Sequence, residues 1–181
     1  MGLLACTPTP SEAPSVATVT QAPTTVPTEA SDAPTEAPTS APTAIAAAPA
    51  CSAADLKASH DLVEGAAGSR LTTVVLVAAS TCSVDLFPAM GIRDANGTEL
   101  VASTVTGSGR IDLDPDVSYS SPIRLANWCN PEPSYPLALV IRLGAEEVRV
   151  TGSSFPEEGG MPPCNGGGGA DLEAGQWEAA P

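Results

Sequence analysis

Aromatic side chains are missing from the first 86 residues of this 181-residue chain; all six (Phe87, Tyr119, Trp128, Tyr135, Phe155, Trp177) lie beyond. The first 50 residues also lack any base and, after Leu4, any Leu, Phe or Trp, while holding nine of the 19 prolines, ten threonines and 13 alanines. Such a segment cannot bury enough apolar area to offset an ordering entropy of roughly 1–2 kcal/mol per residue. Residues 7–50 are therefore expected to form a disordered Pro/Thr/Ala-rich stalk, and residues 51–181 the one folded domain. Histidine is nearly absent too. Any Ser/His/Asp or Cys/His mechanism would have to rest on His60, the only one, and its polar setting, Ser59-His60-Asp61, is that of a solvent-exposed side chain.

Other absences narrow the field further. No Gly-x-Ser-x-Gly, His-Glu-x-x-His or P-loop occurs, and the Gly166–Gly169 run lacks the Lys-Ser/Thr that a phosphate cradle needs. No stretch of 18 apolar residues exists, so no helix of that kind spans a membrane. The longest apolar run, Val74–Ala79, fits a buried strand. Bases are few: net charge is −14, and residues 51–181 carry 17 acids against seven bases. A surface so negative repels phosphate backbones, which argues against nucleic acid as a partner.

What is present begins at the amino terminus. Leu3-Leu4-Ala5-Cys6 resembles the lipobox of bacterial lipoproteins, in which the cysteine receives a lipid and becomes the mature first residue. Acyl chains anchor with about 0.8 kcal/mol per buried CH₂, so Cys6 is expected to hold the protein on a membrane. Only five residues precede Cys6, whereas a signal peptide needs a basic start and an apolar stretch of about 7–15 residues; translation is expected to begin upstream. Between residues 22 and 43 a triplet of the form Ala-Pro-Thr recurs, as at Ala22-Pro23-Thr24 and Ala41-Pro42-Thr43. Proline biases such a run to an extended, semi-rigid spacer of about 3.1 Å per residue.

From Leu71 onward short alternating runs are separated by turn residues. Val84 and Leu86, Met90 and Ile92, Leu100 and Ala102, Ile111 and Leu113, Ile123 and Leu125, Leu139 and Ile141, and Val148 and Val150 mark the apolar faces. An Asn96-Gly97 hairpin turn with positive φ at both residues, an Asp114-Pro115 turn and a Gly144-Ala145 turn punctuate them. The pattern predicts an all-β fold: an immunoglobulin-like antiparallel β-sandwich of about 7–9 strands, with a turn near Ser52–Leu56. Pro122 is expected to put its strand at an edge or on a bulge.

Four cysteines follow Cys6: Cys51, Cys82, Cys129 and Cys164. Their spacing suits no zinc site, and an even count in an exported domain implies two disulfides with three connectivities open. We favour Cys51–Cys82, which would pin segment 51–70, and Cys129–Cys164, which would tie down the Gly-rich ending.

Cys51 with Ala54-Asp55-Leu56, the Gly65–Gly68 approach, Thr81-Cys82-Ser83-Val84, Pro88-x-x-Gly91-Ile92-x-Asp94-x-x-Gly97, Trp128-Cys129 and Pro163-Cys164 resemble the domain-of-unknown-function family 4232. That family is found in secreted and lipoprotein-like proteins of high-GC Gram-positive bacteria. The resemblance spans most of 51–181; it departs at Ala79-Ser80-Thr81, where the family has an Asn-Gly-type turn. It implies a β-sandwich and an exported address, and no activity.

Acidic clusters offer little chemistry. Asp112, Asp114 and Asp116 alternate like the start of a calcium loop, but Val117 and Ile123 stand where Gly and Glu are required, so an Asp-Pro hairpin turn is expected. Glu146-Glu147 and Glu157-Glu158 read as solvated pairs rather than a glycosidase couple, and Met90, a soft-metal candidate with His60 and Met161, sits on a core pattern. No cofactor is expected. Alternation places Trp128 and Arg124 on one outward face, with Tyr119 near the strand's start. Such a face suits contact with a cell-wall glycan or an extracellular protein, against the alternative of a Trp covered by the Pro131–Pro136 loop. The expected role is a non-catalytic binding or envelope-associated module, ahead of a pure spacer and, remotely, an exported carboxylate hydrolase.

Overall fold

The computed structural model describes residues 47–152, 155–156 and 160–181. Cys6, the repeats of the stalk and the Glu157-Glu158 pair lie outside the described residues. After a 3-10 turn at Ala53–Asp55 come strands β1 (Leu56–His60), β2 (Glu64–Ala66), β3 (Ser69–Ala78), β4 (Cys82–Asp85), β5 (Ala89–Arg93) and β6 (Glu99–Ala102). Then follow β7 (Arg110–Leu113), β8 (Ser118–Ala126), β9 (Ala138–Leu143), β10 (Glu146–Thr151), β11 (Asp171–Ala174) and β12 (Glu178–Ala179). The described residues thus hold twelve strands where the sequence predicts 7–9. Most of the excess lies outside the alternating region, in β1 and β2 before Leu71 and in β11 and β12 after Cys164.

Ten strands form one hydrogen-bonded sheet along the path β11-β8-β3-β1-β10-β9-β5-β6, with β12 on β8 and β2 on β3; β4 and β7 make a second, two-stranded sheet. The strand ladders are antiparallel except β1–β10, where Ala58 stands opposite Val150 and Ser59 opposite Thr151. Strand β10 changes partner along its length: Glu146–Arg149 pair with β9, Val150 and Thr151 with β1. The sheet turns a corner there, and β11 comes up against β5 and β6 at its far end. The result is sandwich-like, with a single core. Val74, Leu76 and Ala78 of β3, Met90 and Ile92 of β5, Leu139 and Ile141 of β9, and Leu172 and Trp177 near the carboxy terminus are all buried in it. Each such large apolar side chain contributes roughly 1.5–3 kcal/mol.

Both disulfides form in the favoured pairing, Cys51–Cys82 and Cys129–Cys164, with sequence separations of 31 and 35 residues. The residues just before Cys51 are hydrogen-bonded to β4. Ser83 N–H donates to Pro49 O (2.7 Å), Cys51 N–H to Ser83 O (3.0 Å), and Ser83 Oγ to Ala48 O (3.2 Å). A parallel bridge pairs Ala50 with Ser83.

Several local expectations change, each for a physical reason. Strand β8 is interior, flanked by β3 along its whole length and by β11 and β12 on the other side. Pro122 is tolerated because its missing N–H faces the break between β11 and β12. There Gly175 N–H donates to Pro122 O (2.9 Å) while Gly175 O accepts instead from the buried Ser121 hydroxyl (2.7 Å). At the β5–β6 hairpin only Gly97 has a positive φ (79°); Asn96 does not. The turn is closed by Gly97 N–H to Asp94 O (2.9 Å), and Asp94 Oδ1 accepts from Asn96 and Thr98 N–H. Strand β6 buries Val101, not Leu100 and Ala102, since a register irregularity between Ile92 and Arg93 shifts its phase. The turn at Asp114–Val117 forms, but it is not a hairpin: β7 pairs with β4 and β8 with β3, so the chain crosses between sheets.

Candidate functional site

The β3–β8 ladder fixes the outward face by register, Leu71 opposite Arg124 and Thr73 opposite Pro122. Arg124, half-buried, points outward as expected and pairs with Glu173 of β11 (Nη1 to Oε2, 3.1 Å). Trp128 and Tyr119 do not join it. Trp128 is 7% exposed and Tyr119 5% exposed, both within the core. The reason lies at Asn127, whose φ of 50° ends the strand's alternation after Ala126 and turns the next side chain inward. Trp128 Nε1 has no hydrogen-bond partner among the described residues. Tyr119 sits on the inner parity of β8, and its hydroxyl donates to Asp112 O and accepts from Asp114 N–H, both at 3.2 Å. It thereby braces the crossing from β7.

Two open grooves surround Arg124 and Pro122 instead. One, of about 560 Å³, is lined by Leu71, Pro122, Arg124, Glu173 and Gly175 with Thr104 and Thr106 from the β6–β7 loop. The other, of about 480 Å³, is lined by Leu62, Glu64, Leu71, Thr73 and Pro122. They share Leu71, Pro122 and Ile123, and Leu62 at the rim is 76% exposed. Sequence reasoning passed over Leu62, Leu71 and Pro122. A signal existed: Val74–Ala79 is apolar on both parities, so Val75 and Val77, only half-buried, extend an apolar surface on the outer face from Leu71.

The other sequence candidates fall apart as sites. Glu146 accepts from Ala53 N–H (2.7 Å) and Glu147 pairs with Arg93, so the two carboxylates serve different contacts. Met90 is fully buried, and no cluster of three His, Cys, Asp or Glu suited to a metal occurs among the described residues. His60 is half-buried rather than free in solvent. Its Nδ1 lies 2.8 Å from Asp61 O, and its ring meets Phe155 edge-on at 6.1 Å. Beside it a third groove, about 470 Å³, runs between Pro136 and Ala138 on one side and Arg149, Thr151 and Gly152 on the other.

Two carboxylates are held below their ordinary range. At Asp55 the Ser52 hydroxyl and then the Ser52 N–H, hydrogen-bonded to Oδ2 at 2.6 and 3.0 Å, favour the charged form. At Asp94 partial desolvation pushes upward, but the Thr98 and Asn96 N–H groups together outweigh it. Comparison with known proteins finds no matching family model, no matching curated protein and no matching solved structure.

Proposed function

We propose that the protein is a non-catalytic binding module of the bacterial envelope, held to the membrane by lipid at Cys6 and displayed on its Pro/Thr/Ala stalk. Its domain would then close as an immunoglobulin-like sandwich and share the exported address implied by the likeness to family 4232. Two disulfides fit an oxidising compartment, which supports the address. The observation that carries the binding role is the open apolar face where the two grooves meet at Leu71 and Pro122, with Leu62 standing free beside it. The fitting occupant is an extracellular protein: an apolar centre of Leu and Pro rimmed by an Arg–Glu pair has the make-up of a protein interface, and no aromatic ring lines either groove for a sugar to stack on.

The test is retention of a partner from native envelopes by the full chain. A partner held by the wild type is expected to fall at least tenfold with Leu71→Asp and with Leu62→Asp. Equal retention by all three would favour the spacer reading. For the anchor, mass spectrometry of the membrane fraction is expected to find an acylated Cys6 at the mature amino terminus; unmodified Cys6 in a chain retaining Met1 would refute it.

A further inference from the structure

Seven cations serve this acidic chain, and five are engaged. Arg93, Arg124 and Arg142 pair with Glu147, Glu173 and Glu99, Arg110 bonds to Ser83, and Arg70 to Gly160 O. Among the described residues, Lys57 and Arg149 are the only cations with neither an ion pair nor a side-chain hydrogen bond, and both are exposed. The parallel β1–β10 register sets Ala58 opposite Val150 and Ser59 opposite Thr151. Lys57 and Arg149 each stand one position before the first of these pairs, Arg149 where β10 still pairs with β9, and both share the exposed parity of Ser59 and Thr151. Like charges side by side on a sheet oppose folding, and 14 surplus acids in the sequence leave this pair unrelieved. The place is also structurally distinct: it is the corner where β10 leaves β9 for β1. The groove of about 470 Å³ opens there, lined by Arg149, Thr151 and Gly152 together with His60, Pro136 and Phe155.

We propose that this corner binds an acidic saccharide, a uronate- or phosphate-bearing sugar whose anionic group sits between Lys57 and Arg149 and whose ring enters the groove beside His60. A volume of about 470 Å³ falls within the roughly 300–1,000 Å³ of small-molecule sites. The Ser59 hydroxyl offers a donor next to the cations, while Thr151 Oγ1, which donates to Ala58 O at 3.0 Å, keeps its acceptor lone pairs. A flat anionic bilayer does not fit, because the domain's ten surplus acids would meet it together. A sugar meets only the local field, since charges beyond about 8 Å are screened at physiological salt.

The experiment is an amide NMR titration of the full chain with sodium glucuronate and with glucose 1-phosphate, against glucose, acetate and inorganic phosphate. Saturable shifts are expected at Lys57–Ser59 and Arg149–Gly152 with both acidic sugars and not with glucose. Arg149→Gln and Lys57→Gln should each weaken binding at least threefold with the rest of the spectrum unchanged, and 0.5 M salt, on the order of a 4 Å screening length, should weaken it further. A tetramer of uronate binding more tightly than the monomer assigns a polymer as the natural ligand; equal affinity assigns the free sugar. Absent shifts, shifts of the same size with glucose, acetate or phosphate alone, or binding indifferent to both substitutions would overturn the proposal.

Discussion

Ser83 engages every polar atom it has. Its N–H and hydroxyl reach back to Pro49 and Ala48, its carbonyl accepts from Cys51 and Arg110, and its hydroxyl also accepts from Arg110 (2.6 Å). Ser83→Ala removes the hydroxyl's bonds to Ala48 O, Pro49 O and Arg110, at about 0.5–1.5 kcal/mol, and should lower the urea midpoint accordingly; an unchanged midpoint would mean that the hydroxyl's share of the tether at residues 48–50 is idle. Trp128→Ala empties a core position and is expected to cost about 3–5 kcal/mol by denaturant unfolding while leaving a folded fraction whose binding at Leu71 is intact. The carboxylates at Asp55 and Asp94 give an acid signature. Both are depressed when folded, so their stabilisation is present above the ordinary Asp value of about 3.9 and is lost as pH falls through the folded values. Asp94→Asn should therefore flatten the fall of melting temperature below about pH 4; a parallel displacement of the whole curve would contradict this. At this scale the sequence is legible where parity alone decides burial, as for Met90, Ile92, Val148 and Val150. It misleads at Trp128, because Asn127 takes a positive φ that ends the alternation, a conformation Asn adopts more readily than most residues but which the residue type alone does not dictate.

Among the elements, the disulfides act on the least regular parts. Cys51–Cys82 and Cys129–Cys164 close loops of 31 and 35 residues in separation, which by loop-closure entropy stabilises by roughly 3.5–4 kcal/mol each. The double substitution Cys51→Ala with Cys82→Ala should lose about that much in equilibrium unfolding, and no loss would show that the Ser83 hydrogen bonds alone fix the start of the domain. Cysteine number leaves three pairings open, but the all-β class, the presence of two disulfides and the β9–β10 hairpin follow from alternation, cysteine number and Gly144. The corner at β10 and the interior position of β8 do not. A strand that pairs with two different partners keeps a single alternation throughout, and the rescue of Pro122 depends on Ser121 and Gly175, 54 residues apart.

At the scale of the whole molecule, charge and exposed apolar surface divide the work. The β3–β8 face offers Leu62, Leu71 and Pro122 to a protein, whereas the β1–β10 corner offers two unpaired cations. Binding at the first, driven by apolar burial, should hold or strengthen as salt rises; binding at the second should weaken. The sequence announced neither surface directly, since both come from strands far apart in the chain whose outward residues meet only through register. The most direct measurement is site-specific photo-crosslinking on intact cells expressing the full chain. A photoreactive residue at Leu62 or Leu71 is expected to capture one discrete protein partner, while the same residue at Ala145, exposed in the β9–β10 turn and lining neither groove, captures none. Crosslinks absent at both groove positions, or equally abundant at Ala145, would contradict a binding role for that face.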